Sequence, residues 1–355
     1  MKIFEKFKVK GINFANKIFH ILSKILYEKS YIKIEKNIEN KYKDYYIFYP
    51  ILCIGDLLAV FKSLKAFKEK NNGKILVIFN DKNRAELANS YKFIDKTEVL
   101  EKKFFIYSQY VRNKKFNPKI ELGKIHYINP DLIAKTGEKF HSLSELYDYS
   151  LGVNSEKNEF SNLIFNQETI QKVNRYCKDL NLDLDKTIFL SPFANSLNYK
   201  ILNKSFWLNL ANKLKDMGFE PVFNCSDKSY GAYKTVYLSL LQTACFACNC
   251  HSVISFRSGL TDLLVTFGCK NVIALYPPLM DHPKLGISQR NVWKSTYVFD
   301  DNLSDEENMY KIFSINSITG EKSGYDEIIC NMSNNELQDL IINKIKNIKK
   351  EEDIL

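Results

Sequence analysis

The chain predicts a two-halved α/β fold in which each half holds a parallel sheet covered by helices on both faces. Three observations carry this. At 355 residues the chain is long enough for two domains, each with its own core. Apolar runs of strand length alternate with runs of helical period over residues 45–91, and the same alternation restarts at 168–280. The run His251–Pro278, HSVISFRSGLTDLLVTFGCKNVIALYPP, reads as strand, polar elbow, helix and second strand, which is one unit of such a sheet.

Taken in order, residues 1–43 form a basic amphipathic segment, with Ile3, Phe7, Phe14, Ile18, Ile21, Leu22, Ile25 and Leu26 at helical spacing between lysines. Tyr45–Tyr49 is a short strand ending at Pro50, and the loop 51–55 leads into a helix from Asp56 to about Lys70. Its face is Leu57, Val60, Phe61, Leu64 and Phe67. Lys74–Phe79 is a strand and Arg84–Tyr91 a helix; Lys96–Asn129 is less regular, with strand-like patches at Phe104–Tyr107 and Lys124–Ile128. Ser142–Leu151 is helical. The second half runs helix Glu168–Leu180, strand Thr187–Ser191, helix Ser205–Met217, strand Glu220–Asn224 and helix Leu238–Ala247. Then come strand Ser252–Phe256, elbow Arg257-Ser258-Gly259, helix Leu260–Phe267 and strand Asn271–Tyr276. Asp300–Asp326 is polar and acidic and reads as an insertion or surface loop, and Asn334–Lys349 as a closing amphipathic helix. The domains expected are 1–43, a basic segment; 44–165, a first Rossmann-like unit; 166–330, a second; and 331–355, a closing helix.

The net charge of +10 is uneven: residues 1–43 hold eleven Lys and four Glu, leaving +3 for the rest. Such a segment suits an anionic membrane surface or packs as a lysine-rich helix on its own domain. With the excess confined to one end, nucleic-acid binding is not expected. No signal peptide and no membrane-spanning run is legible, so a cytoplasmic, soluble or peripheral protein is expected. Eight cysteines do not make a secreted framework in a chain this long. Cys245, Cys248, Cys250 and His251 raise the question of zinc, but Cys245 and Cys248 fall in an apolar helical stretch and no second CxxC pair exists, which favours buried thiols.

In open parallel sheets, ligands bind beyond the carboxyl ends of the strands. Four such ends carry chemistry. Ile54-Gly55-Asp56 combines a glycine that permits a tight turn with a carboxylate at a helix start, which is either a helix cap or a base. Ser191-Pro192-Phe193-Ala194-Asn195-Ser196 is followed by Lys200 and Lys204; Asn224-Cys225-Ser226-Asp227 follows the next strand. The Arg257-Ser258-Gly259 elbow offers backbone N–H groups, a hydroxyl and a guanidinium at a helix start, which suits a diphosphate. An Arg257–Asp262 ion pair bracing the elbow is the structural alternative.

In this order on two halves, the four ends resemble the GT-B glycosyltransferases, and within them the lipopolysaccharide heptosyltransferase group, glycosyltransferase family 9. Ile54-Gly55-Asp56-Leu57-Leu58 is similar to that group's opening strand–Gly-Asp–helix unit; Thr187–Trp207 with LNLANKLKDMGFEPVFN, and Ser252–Pro278, are similar to its second half. The chain departs from the pattern at Arg257, where an acidic residue is usual, and at Asp262, where a histidine is frequent.

The resemblance implies two Rossmann-like domains facing each other across a cleft. It implies transfer of a sugar from a nucleoside diphosphate donor to a glycan or glycolipid acceptor, inverting and without a metal or other cofactor. Asp56 would be the general base, with Gly55 beside it on the acceptor side. Ser191, Ser196, Lys200, Asn224, Ser226, Arg257, Ser258, Gly259, Asp262 and Tyr276 would hold the donor. The rival expectations are a nucleotide-sugar hydrolase or epimerase of the same fold, and a non-catalytic nucleotide-binding relative.

Overall fold

The computed structural model describes residues 33–50, 52–101, 125–128, 136–155, 163–193, 202–226, 229–276 and 289–352. The first half runs β1 (Tyr45–Pro50), α1 (Ile54–Asn71), β2 (Lys74–Phe79), α2 (Lys82–Asn89), β3 (Lys96–Val99), β4 (Ile125–Ile128) and α3 (Leu143–Leu151). Its sheet is wholly parallel in the order β3-β2-β1-β4. The strand direction of the connections therefore reverses between β1 and β4, and the loop leaving β1 opens at that switch point. β3 was not anticipated, because Lys-Thr-Glu-Val is a half-exposed edge strand with no apolar run.

The second half runs α4 (Gln167–Asp179), β5 (Thr187–Ser191), α5 (Lys204–Asp216), β6 (Glu220–Asn224), β7 (Lys234–Val236), α6 (Leu240–Cys248), β8 (Ser252–Phe256), α7 (Gly259–Thr266), β9 (Val272–Tyr276), α8 (Gln289–Thr296), α9 (Asp305–Phe313), α10 (Ile315–Thr319), β10 (Tyr325–Ile329) and α11 (Asn334–Glu352). The six strands are parallel in the order β10-β9-β8-β5-β6-β7. This is the doubly wound order of a dinucleotide-type sheet, with its switch point between β5 and β8. Ser191 and Ser255 face each other across it in register.

Alternate residues of the strands feed separate cores. Phe48, Ile75, Val77 and Phe79 of the first sheet and Phe189, Val253 and Val272 of the second face one continuous apolar cluster. That cluster also takes in Leu57, Val60 and Phe61 of α1, Leu263 and Leu264 of α7, and Ile315 and Ile318 of α10. Ile188, Leu190, Ile254 and Ile273 point the other way, beneath α5 and α11. Tyr42, Ile47, Tyr49, Leu76 and Ile78 form a third cluster, against which Ile34 and Ile38 of the helical residues 33–41 are packed. The end of the basic segment is thus a packed helix, whereas residues 1–32 lie outside the described residues.

Two expectations need correction. Asp300–Asp326 is no surface loop: it supplies α9, α10 and the start of edge strand β10, and α10 wedges against α1, α3 and α7. Its polar residues are spent on caps, such as Ser304 on α9 and Ser314 on α10, while Ile312, Ile315 and Ile318 are buried. Nor does Gly55 make a tight turn. It lies inside the first turn of α1, whose N-cap is Cys53, so Asp56 is a first-turn residue and not the cap. The strand-like patch at Phe104–Tyr107 lies outside the described residues.

Candidate functional site

The starts of α1 and α7 meet. A Cβ added to Gly259 would stand 2.4 Å from the Gly55 nitrogen and 2.7 Å from the Ile54 Cβ; one added to Gly55 would stand 2.8 Å from Asp262 Oδ2. Gly259 is therefore required by its close approach to the α1 backbone, and Gly55 by the Asp262 carboxylate packed against it. The loop after β1 and the elbow after β8 come together here, with α10 packed alongside. Two helix starts converging concentrate positive potential on one point, where a carboxylate is stabilised.

Asp56 occupies that point. Its Oδ1 accepts a hydrogen bond from the Tyr147 hydroxyl of α3 at 3.0 Å. Burial raises the carboxyl above its ordinary value; the Tyr147 bond, the N–H groups of Asp56 and Cys53, and the charge of Arg257 oppose the rise. Burial and the Asp56 charge hold the Tyr147 phenol well above its usual range, and burial likewise raises Tyr297 beside them. Both tyrosines are buried and stay neutral. The arrangement holds a carboxylate of raised basicity in a half-buried, polar niche.

The elbow is spent on itself. Arg257 Nη1 donates to Asp262 Oδ2 at 2.8 Å and to the Ser258 carbonyl at 2.9 Å, and Nη2 lies 2.7 Å from Asp262 Oδ1. Nε donates to the Tyr276 hydroxyl at 2.8 Å, and Nη2 to the Phe313 carbonyl at 2.8 Å. With side-chain exposures of 10% and 1%, Arg257 and Asp262 form a buried ion pair with one hydrogen bond, Nη1 to Oδ2. Burial works against the Arg257 charge, but Asp262 and Tyr276 outweigh it and raise the guanidinium. Burial pushes Asp262 up to about 6 against the pull of Arg257.

Ser258 caps α7, accepting from the Leu260 N–H at 3.3 Å, while its own N–H goes to Thr261 Oγ1 at 3.0 Å. In this structure Arg257 takes the ion-pair arrangement named as the alternative to a diphosphate clamp: every guanidinium nitrogen has a protein partner. Tyr276 belongs to the same network. Its hydroxyl donates to Glu327 of β10, which also accepts from Tyr310 and from the Ile315 N–H.

On the far side of β5 from the switch point between β5 and β8, Asn224 Nδ2 donates to Ser191 Oγ at 3.2 Å, joining the carboxyl ends of β5 and β6. Ser226 is exposed just beyond β6, and Phe193 is exposed just beyond β5. Ser196 and Lys200, in the loop between β5 and α5, lie outside the described residues. The structure thus brings Gly55, Asp56, Arg257, Ser258, Gly259, Asp262 and Tyr276 together, and groups Ser191 with Asn224 at the neighbouring strand ends. Sequence reading missed Tyr147, Tyr297, Glu327 and Tyr310, because a tyrosine in an apolar helix or a glutamate in a strand carries no local signature of its partner.

The cysteines are free thiols; burial raises Cys245 to about 11, and Cys250 is also raised by burial. Among the described residues no group of three or more His, Cys, Asp or Glu is placed to hold a metal, and no helix is long and apolar enough to cross a membrane.

No family model and no curated protein matches the chain. Among solved structures, the glycosyl transferase family 9 protein from Veillonella parvula superposes with a TM-score of 0.55 at 12% identity, over 86% of this chain and 97% of that one. E. coli ADP-heptose lps heptosyltransferase II gives 0.49 at 12% identity, over 86% and 99%. The first likeness shows the fold: two Rossmann-like units in the GT-B arrangement.

Proposed function

We propose that the chain is a glycosyltransferase that moves a sugar from a nucleoside diphosphate donor to a hydroxyl of a cell-surface glycan, such as a lipid-linked or lipo-oligosaccharide intermediate. The observation that carries this reading is the meeting of two parallel-sheet switch points with one half-buried carboxylate, Asp56, at the junction. The Veillonella parvula protein that shares the fold is a family 9 glycosyl transferase, which supports this reaction class. The donor lies against the carboxyl ends of β5 and β6, where Ser191, Asn224 and Ser226 stand, with Ser196 and Lys200 in the adjoining loop.

Asp56 takes the proton of the acceptor hydroxyl as its oxygen bonds to the anomeric carbon, and the bond to the nucleoside diphosphate breaks with inversion. A carboxylate raised by burial is a stronger base than one in water, and the protein withdraws it from bulk solvent. The charge of the leaving diphosphate is met by Lys200 and by the start of α5, since Arg257 is committed to Asp262. Arg257 and Asp262 hold the elbow rigid against α1.

Release of nucleoside diphosphate from a panel of nucleotide sugars, with and without lipid-linked glycan acceptors, tests the reading. Release that rises many-fold with acceptor is expected. Equal release in both conditions would make the protein a hydrolase or epimerase.

A further inference from the structure

We infer that Tyr147 is a positioning residue for Asp56, holding the plane of its carboxylate toward the junction of the two helix starts. The inference rests on the reading of Asp56 as the base. Tyr147 is fully buried in α3, and its hydroxyl reaches Asp56 Oδ1 at 3.0 Å from 91 residues away in sequence. A buried phenol needs one acceptor, which any nearby carbonyl could supply. Here it takes a carboxylate at the start of another helix.

The next residue shows that this bond is not needed to dock α3. Asp148 is buried and accepts from Ser63 Oγ of α1 at 2.6 Å, and from the N–H and hydroxyl of Ser155 at 2.8 and 2.9 Å. Ser63 lies seven residues beyond Asp56, on the same face of α1. Two consecutive residues of α3 thus meet two residues two turns apart on α1. The Ser63–Asp148 contact docks α3 on α1 independently of the Tyr147–Asp56 bond. The hydroxyl stabilises the ionised carboxylate and lies within a wall that also contains the buried Tyr297.

The test compares full-length wild type, Tyr147→Phe and Ser63→Ala. Donor turnover is followed against pH, melting temperature is recorded, and the carboxyl carbons of labelled aspartates are titrated by NMR, with Asp56→Asn assigning the signal. In Tyr147→Phe the Asp56 titration and the acid limb of kcat/KM should both move to higher pH. Turnover at neutral pH should fall on the order of tenfold, the rate equivalent of one charge-assisted hydrogen bond. Ser63→Ala should lower the melting temperature and leave the acid limb in place. An Asp56 titration unmoved in Tyr147→Phe overturns the positioning role. A titration that moves while the acid limb stays put upholds the tyrosine contact and overturns Asp56 as the base.

Discussion

Asp56 and Arg257 were legible as chemistry in the sequence, but only coordinates separate their roles. A carboxylate after Gly55 reads as a helix cap or a base; the N-cap position is Cys53, and the Asp56 carboxylate takes the N–H groups of Cys53 and Asp56 as well as the Tyr147 hydroxyl, so it also serves the helix start. We expect Asp56→Asn to keep nucleotide affinity and to lower turnover by about a hundredfold or more, measured by steady-state kinetics. The same variant reports on stability. Burial raises Asp56 and raises Asp262 to about 6, so the folded chain holds protons that the unfolded chain releases. Their contribution to stability is complete below about pH 4 and is lost as pH rises through their raised folded-state values, about 6 for Asp262. Urea midpoints followed from pH 4 to 7 should therefore decline less in Asp56→Asn than in wild type. For Arg257, truncation to alanine strands a buried Asp262 and should cost about 3 to 5 kcal/mol in urea unfolding. Nucleotide affinity per folded molecule should stay unchanged, whereas a phosphate clamp would show the opposite pattern.

The elements were readable wherever an apolar face repeats. α1, α3, α5 and strands β1, β2, β5, β6, β8 and β9 lie within a residue or two of the positions expected from periodicity. The failures are elements without a repeating apolar face: β3, β7 and β10 are partly exposed edge strands, and α9 and α10 are short helices rich in capping side chains. The purpose of Gly55 and Gly259 was also hidden, because a close approach between two helices leaves no mark in either local sequence. Gly259→Ala places a methyl against the backbone of Gly55, and should destabilise by about 1 to 3 kcal/mol in a denaturant titration. A wild-type midpoint in that variant would mean that α1 and α7 separate without cost. Such freedom would contradict a site built from both helix starts.

Across the whole molecule, the repeated strand–helix order was enough to predict two parallel sheets, since each apolar run alternates with an amphipathic one. The junction itself was not predictable, because α10 and Tyr147 reach it from positions remote in sequence from Asp56. The basic segment divides at its packed end: Ile34, Ile38 and Tyr42 seat residues 33–41 on the first sheet. Deleting residues 1–32 should abolish salt-sensitive binding to anionic vesicles. Equal vesicle binding with and without those residues would remove the membrane-surface role. The central claim is that the paired switch points hold a nucleoside diphosphate sugar. Melting temperature against ADP, UDP, GDP and CDP, each beside its parent nucleoside, tests it most directly. One diphosphate should raise stability by about 2.7 kcal/mol at a hundred times its dissociation constant, while its nucleoside does far less. A folded protein whose melting temperature no diphosphate moves would contradict the account.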